Sequence, residues 1–195
     1  MTLSTTTHLT LNIATVIVTF NRKAELKKTI EAIKSQGIVE EHIIVVNNNS
    51  SEGTEVLLTN DYPTIHAVHL EENIASAGGF AKGMQVAFEK GYDWVWLFND
   101  DSRPVNGTLD SVISHLVTEV VPPPGLVKIA NKNEQNQAVL LYWNGVRQPK
   151  YVPVSNQLIP TDLVTFDGCF ISRELMGKIG FCDPLYFMGT YEFDY

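Results

Sequence analysis

Four short runs of β-branched and aromatic residues recur along the chain, each followed by a segment long enough to return as a helix. They are Ile13–Phe20 (IATVIVTF), His42–Val46 (HIIVV), Ile65–Leu70 (IHAVHL) and Trp94–Phe98 (WVWLF). Runs this short and this continuously apolar read as strands buried on both faces. After the first, Leu26, Ile30 and Ile33 recur at helical spacing; Asn21 is placed to cap that helix and Gly37 to stop it. Ser50 or Ser51 is placed to cap a short helix over Glu52–Leu58, and Glu72–Gly79 leads into a helix running to about Lys90. Strand and helix alternating through short loops predict an α/β domain, a mostly parallel central sheet with helices on both faces.

Sheets of this kind bind ligands outside the carboxyl ends of their strands. The polar clusters Thr19–Arg22, Asn47–Ser51, Asn73–Gly79 and Asn99–Asp101 all fall there, so the fold alone brings four segments to one crevice. In the last of them, Asn99-Asp100-Asp101 supplies side-chain oxygens suited to holding a divalent cation against a ligand's phosphates. The same pair in isolation serves equally as a turn or a helix cap.

Beyond residue 103, Thr108 is placed to cap a helix with Leu109, Val112, Ile113 and Leu116 along one face, ended by Pro122-Pro123-Pro124. Leu126–Ile129, Val139–Trp143 and Leu163–Ser172 read as strands, the last broken at Asp167-Gly168, and Glu174–Ile179 as a short helix. No repeat or linker divides the chain, which reads as a flexible leader over 1–12 and a single domain over 13–195.

Composition excludes several classes. A net charge of −8 over 195 residues argues against a nucleic-acid partner. No apolar run approaches the ~20 residues of a membrane span, and MTLSTTTHLTLN lacks the basic region and apolar core of a signal peptide. Cys169 and Cys182 have no metal-site spacing and read as buried reduced thiols. Together these point to a cytoplasmic protein, with peripheral contact at the inner face of a membrane still compatible; nothing in the sequence fixes an oligomeric state. A dinucleotide fold puts its glycine-rich turn directly after the first strand, where this chain has Thr19-Phe20-Asn21-Arg22. The glycine pair Gly78-Gly79 follows the third strand instead, and no GxxxxGK[ST] loop occurs, so both of those nucleotide folds fail on position.

IATVIVTFNRKAEL, IIVVNNNSSEGT, ENIASAGGFAKGM and DWVWLFNDDSRP, in that order and spacing, resemble the family 2 glycosyltransferases of GT-A fold, most of all the branch of galactofuranosyl- and rhamnosyltransferases. The likeness runs from Ile13 to Tyr195, and GCFISRELMGKIGFCDPLYFMGTYEFDY resembles the family segment carrying the catalytic carboxylate. It implies a nucleotide-sugar-binding half over 13–103 and an acceptor-side half over 104–195. The chain stops directly after Glu192 and Asp194, as though cut through a functional element, so the second half is expected to be incomplete.

Residue by residue, the resemblance implies that Thr19, Asn21 and Arg22 border the nucleotide's base and ribose. Asn47 would face the base, within the same cluster as Asn49. Asn73, Gly78, Gly79 and Lys82 would lie along ribose and diphosphate. Asn99, Asp100 and Asp101 occupy the metal motif, with Asp101 and Asn99 as ligands of Mg²⁺ or Mn²⁺. Glu192 would be the catalytic base and Asp194 its support. Three positions depart from the family: Asn47 and Asn99 stand where Asp is usual, and Glu192 also replaces an Asp, moving the carboxylate by about an ångström. The implied reaction is an inverting transfer from a UDP- or dTDP-sugar to a glycan or glycolipid acceptor. A catalytically inactive nucleotide-sugar-binding module and a sugar nucleotidyltransferase are the alternatives.

Other residues have plainer readings. Trp94, Trp96 and Phe98 alternate on a strand and read as core. His42, His66 and His69 read as structural, the Lys23–Lys28 charges as a solvated helix face. Trp143 is a candidate sugar platform, and Gly78-Gly79 reads as either a loosened helix start or a close approach to diphosphate.

Overall fold

The computed structural model describes residues 11–118, 125–129, 137–143, 147–153, 159 and 164–183. Its centre is a six-stranded sheet built from β1 (Ile13–Thr19), β2 (Ile43–Asn47), β3 (His66–His69), β4 (Trp94–Asn99), β5 (Leu126–Lys128) and β8 (Cys169–Ser172). The spatial order is β3-β2-β1-β4-β8-β5. The first four strands are mutually parallel, and β8 runs antiparallel to both of its neighbours. A separate hairpin joins β6 (Gln137–Trp143) to β7 (Arg147–Pro153).

Helices α1 (Lys23–Lys34), α2 (Thr54–Asp61), α3 (Ala75–Glu89), α4 (Thr108–Thr118) and α5 (Arg173–Ile179) complete the domain. The alternation of side chains along β1 divides the core in two. Ile13 and Ile17 join Leu26, Ile30 and Ile33 of α1, with Trp96 and Phe170. Val16 and Val18 join Phe80 and Met84 of α3, with Val95 and Ile171. Each such side chain fully buried is worth about 1.5–3 kcal/mol, so both faces are strongly specified. Trp96 stacks on Phe170 at 4.7 Å and meets Phe98 edge-on at 4.6 Å, as core aromatics do.

Several local expectations are corrected. Phe20 lies outside β1 and is 44% exposed, and β2 begins one residue later than the apolar run. Asn21 does not cap α1: it takes a left-handed φ of +53°, and Arg22 is the N-cap, without a side-chain bond. Neither serine caps α2; Gly53, at φ +86°, precedes it. Thr108 opens α4, but its hydroxyl donates to Val105 O at 2.6 Å. The helix after β3 starts at Ala75, so Gly78 and Gly79 lie inside it and are buried.

The glycines of α3 have a packing reason. A Cβ at Gly79 would stand 2.6 Å from Val18 Cγ1, and one at Gly83 2.3 Å from Val16 Cγ1. The helix backbone therefore rests directly on β1. Strand β7, with two prolines and two basic residues, lacks an apolar run and is not among the strands the sequence predicts. Cys169 and Cys182 are buried free thiols, as expected.

Candidate functional site

The sheet order reverses between β1 and β4, and β1 runs alongside β4 with Val18 opposite Asn99. The residues just past that pair therefore open into the crevice such a switch point creates. Thr19 ends β1, buried, and its hydroxyl donates to Asp100 Oδ2 at 2.8 Å. Thr29 Oγ1, from α1, donates to Asp100 O at 2.7 Å. Asp100 is thus turned inward, 5% exposed, while Asp101 is exposed.

Arg22 faces both carboxylates. Its Nη1 pairs with Asp101 Oδ2 and stands 3.7 Å from Asp100 Oδ1. Burial pushes the Asp100 carboxyl above the ordinary aspartate value, opposed by the Thr19 hydroxyl, Arg22 and the Phe20 amide. The carboxylate is therefore held between a buried wall and the guanidinium of an exposed arginine. Arg103 pairs with Glu25 of α1, a second tie between the turn after β4 and the first helix.

The loops after β1 and β2 are stitched to each other. Asn21 N donates to Ser50 Oγ and Ser51 N to Asn21 Oδ1, each at 2.9 Å. This is the work that takes Asn21, Ser50 and Ser51 away from capping. Asn47, buried, accepts from Ser50 N at 3.0 Å and places its amide nitrogen 3.1 Å from His69 Nδ1. An amide nitrogen only donates, so Nδ1 accepts and His69 holds Asn47 in place. His42 packs edge-on to Tyr92, and burial holds His66 below its usual range; both have structural surroundings.

Among the described residues, Asn21, Asn49 and Ala75 are the non-glycine residues with left-handed φ, at +53°, +60° and +55°. One follows each of β1, β2 and β3. Asn tolerates that region; Ala pays about 1–2 kcal/mol for it. Ala75 is kept there by Asn73 Oδ1, which accepts its N–H at 2.8 Å, and by Asn48 Nδ2, which donates to its carbonyl at 2.9 Å. The strained position is thus Ala75, at the start of α3 and on the carboxyl side of the parallel strands. Lys82 lies half-buried on α3, together with Gly78 and Gly79. Ile74 lies against Gly78, and Val18 and Asn48 against Gly79, which gives both glycines a packing reason.

Two residues escaped sequence reasoning. Asp167 accepts from Asn99 N at 3.2 Å and from Ser102 Oγ at 2.7 Å, and Lys128 Nζ donates to its carbonyl. Burial holds the Lys128 amine below its usual range. The one signal was the Asp-Gly break in the Leu163–Ser172 run. Glu192, Asp194 and the Trp143 side chain lie outside the described residues.

The donor set suits a hard divalent cation. Among the described residues no three His, Cys, Asp or Glu side chains gather into a cation-holding group. The exposed Asp101 carboxylate and the amide oxygen of Asn99 are hard oxygen donors of the type Mg²⁺ takes, an ion held by one or two carboxylates plus substrate phosphates and water. Asp100 is the buried member of the motif, its Oδ2 taken by Thr19 and its Oδ1 3.7 Å from Arg22 Nη1. No helix among the described residues is long and apolar enough to cross a membrane.

A mostly parallel sheet with polar loops and an acidic turn at its switch point defines an α/β protein of the kind that takes its ligands at the carboxyl ends of its strands. The family model for glycosyl transferase family 2 matches residues 15–178, and the chain belongs to that family. Galactofuranosyltransferase GlfT1 of Mycolicibacterium smegmatis is 34% identical over 115 residues, 56% of this chain and 38% of that protein. The dTDP-rhamnosyl transferase RfbF of Shigella flexneri is 25% identical over 179 residues, 91% of this chain and 59% of its own. The chain thus spans 38% and 59% of these two curated relatives. Among solved structures, S. aureus TarS 1-349 in complex with UDP superposes with a TM-score of 0.65 at 12% identity, covering 94% of this chain and 54% of that one. The mannosyltransferase PcManGT of Pyrobaculum calidifontis, in complex with GDP-Man and Mn²⁺, gives 0.61 at 14%, covering 89% and 48%. The fold is GT-A, as the sequence resemblance implied.

Proposed function

We propose that this chain forms the donor side of an inverting, metal-dependent glycosyltransferase that takes its sugar from a UDP- or dTDP-linked donor and passes it to a glycan or glycolipid. The observation carrying this is the joining of Thr19, Arg22, Asp100 and Asp101 at the β1–β4 switch point, within a chain of glycosyl transferase family 2. Asp101 and Asn99 would hold Mg²⁺ or Mn²⁺, which when bound supplies charge neutralisation for the departing diphosphate. Arg22 can swing from Asp101 to the nucleotide's phosphates without leaving the crevice. The stitched loops carrying Asn21, Asn47 and Asn49 form the base and ribose side, and Asn73, Gly78, Gly79 and Lys82 the diphosphate side.

Glu192 is the proposed base. It takes the acceptor hydroxyl proton as that oxygen bonds the anomeric carbon; the bond from that carbon to the diphosphate breaks on the opposite face, which inverts the centre. Asp194 supports it. Galactofuranose and rhamnose are the favoured donor sugars, after the names of the relatives, and the cytoplasmic face of a membrane the favoured place. A binding-only module is the second reading, favoured by the neutral Asn99 in the metal motif.

The test is isothermal titration of the full chain with UDP, dTDP, GDP and NAD, each with Mn²⁺ and with EDTA, repeated on Asp101→Ala. Mn²⁺-dependent binding of UDP or dTDP that Asp101→Ala abolishes is the expected result. Folded protein that binds no nucleotide overturns the proposal. Binding without sugar transfer to any acceptor favours the second reading.

A further inference from the structure

Asn99–Ser102 closes as a turn, with Ser102 N donating to Asn99 O at 3.3 Å. Asp100 and Asp101 are its two central residues. Thr19 fixes Asp100 from one side. From the other side a single carboxylate spans the turn: Asp167 Oδ1 takes the Asn99 N–H at 3.2 Å and Oδ2 takes the Ser102 hydroxyl at 2.7 Å. Its own backbone is locked in turn. Gly168 N donates to Leu97 O at 2.7 Å, Gly168 takes a φ of +74°, and Lys128 Nζ donates to the Asp167 carbonyl.

We infer that Asp167 is a positioning residue that sets the direction of Asp101 by bracing both ends of the acidic turn. The inference rests on the donor-site reading above. With Asp100 pinned to Thr19 and both turn ends pinned to Asp167, the backbone that carries Asp101 is fixed, and its exposed side chain leaves the turn on the side where Arg22 meets it. The clamp also comes from the segment leading into β8, 65 residues beyond Ser102. The second part of the chain thus builds the geometry of a site whose ligating residues all lie in the first.

The test titrates Mn²⁺ into the full chain at saturating UDP and again at saturating dTDP, for wild type, Asp167→Ala, Asp167→Asn and Ser102→Ala. Partners that orient metal ligands are typically worth 10–100-fold in metal affinity. Asp167→Ala is expected to raise the half-saturating Mn²⁺ concentration about tenfold while leaving nucleotide binding in EDTA unchanged. Asp167→Asn, which keeps one acceptor oxygen, is expected to recover part of that loss. A purely structural role would lower the melting temperature and weaken binding with and without Mn²⁺ alike, which overturns the inference. If Asp167→Ala does not fold, Ser102→Ala decides: unchanged Mn²⁺ dependence overturns the inference, and weakened dependence supports it. Wild type that binds neither nucleotide with Mn²⁺ fails the donor-site reading itself; indifferent variants on a binding wild type fail this inference alone.

Discussion

The Thr19 hydroxyl reaches across 81 residues of sequence to the Asp100 carboxylate, and the bond between them is buried at the point where the sheet changes direction. It joins the end of the first strand to the acidic turn after the fourth. A buried carboxylate with two neutral donors, the Thr19 hydroxyl and the Phe20 amide, and a guanidinium at 3.7 Å is only partly compensated.

That gives a signed pH dependence. The folded-state pKa of Asp100 is raised, chiefly by burial, so the protonated form is the one the fold favours. Its contribution to stability is fully present below the ordinary value of 3.8 and is lost as pH rises through the raised one. Asp100→Asn keeps an oxygen for the Thr19 hydroxyl without the charge. Its stability relative to wild type is expected to climb as pH goes from about 3 to about 7, read by urea unfolding across that range. A difference that stays flat with pH contradicts this account.

Arg22 occupies Asp101, so on the proposed metal role it would compete with a cation there. With Arg22→Gln the two carboxylates lose their positive neighbour, so Mn²⁺ alone is expected to bind a few-fold more tightly, about 1 kcal/mol or less for a pair this exposed. UDP or dTDP in EDTA is expected to bind more weakly in the same variant. Equal Mn²⁺ affinity in both proteins rules out the competition.

Gly83 separates packing from ligand binding on α3. Its substitution by Ala gains about 1 kcal/mol of helix propensity, but the new methyl meets Val16 Cγ1 at 2.3 Å. Overpacking of that kind costs about 1–3 kcal/mol and forces helix from sheet. Gly83→Ala is expected to lower the melting temperature with no ligand present, as is Gly79→Ala against Val18. A variant of unchanged stability would leave the glycines without a packing reason.

Cys169 is fully buried, and its thiol is pushed up to about 12 by burial. The reactive thiolate is therefore scarce at ordinary pH. Cys182, also buried, lies against the Ala77 carbonyl. Neither thiol is expected to react with a small disulfide reagent until the chain unfolds, when both titrate together. Rapid modification in the native state refutes this.

The strands that carry the site were legible because each is a β-branched or aromatic run with no competing pattern. The elements missed or misplaced share a cause: their signals depend on partners distant in sequence. Asn21, Ser50 and Ser51 have the chemistry of helix caps, yet they satisfy one another between two loops. Gly78 and Gly79 look like loop residues until Val18 and Ile74 are seen beside them. Strand β7 has a partner in β6 but no apolar run of its own. Asp167 resembled a turn residue and nothing more, because what it braces lies 65 and 68 residues away.

The strand order carries a consequence for the newly made chain. β2 and β3 can join β1 as soon as they emerge, but the other edge of β1 waits for Trp94–Asn99, whose first residue pairs with Ile13. Until then an apolar strand edge stands open, the kind of surface that invites pairing with another copy. The acidic turn arrives with the strand that covers that edge, and its brace arrives only with β8. A ribosome therefore delivers the loops after β1, β2 and β3 first, then the acidic turn, and last the residue that holds it still.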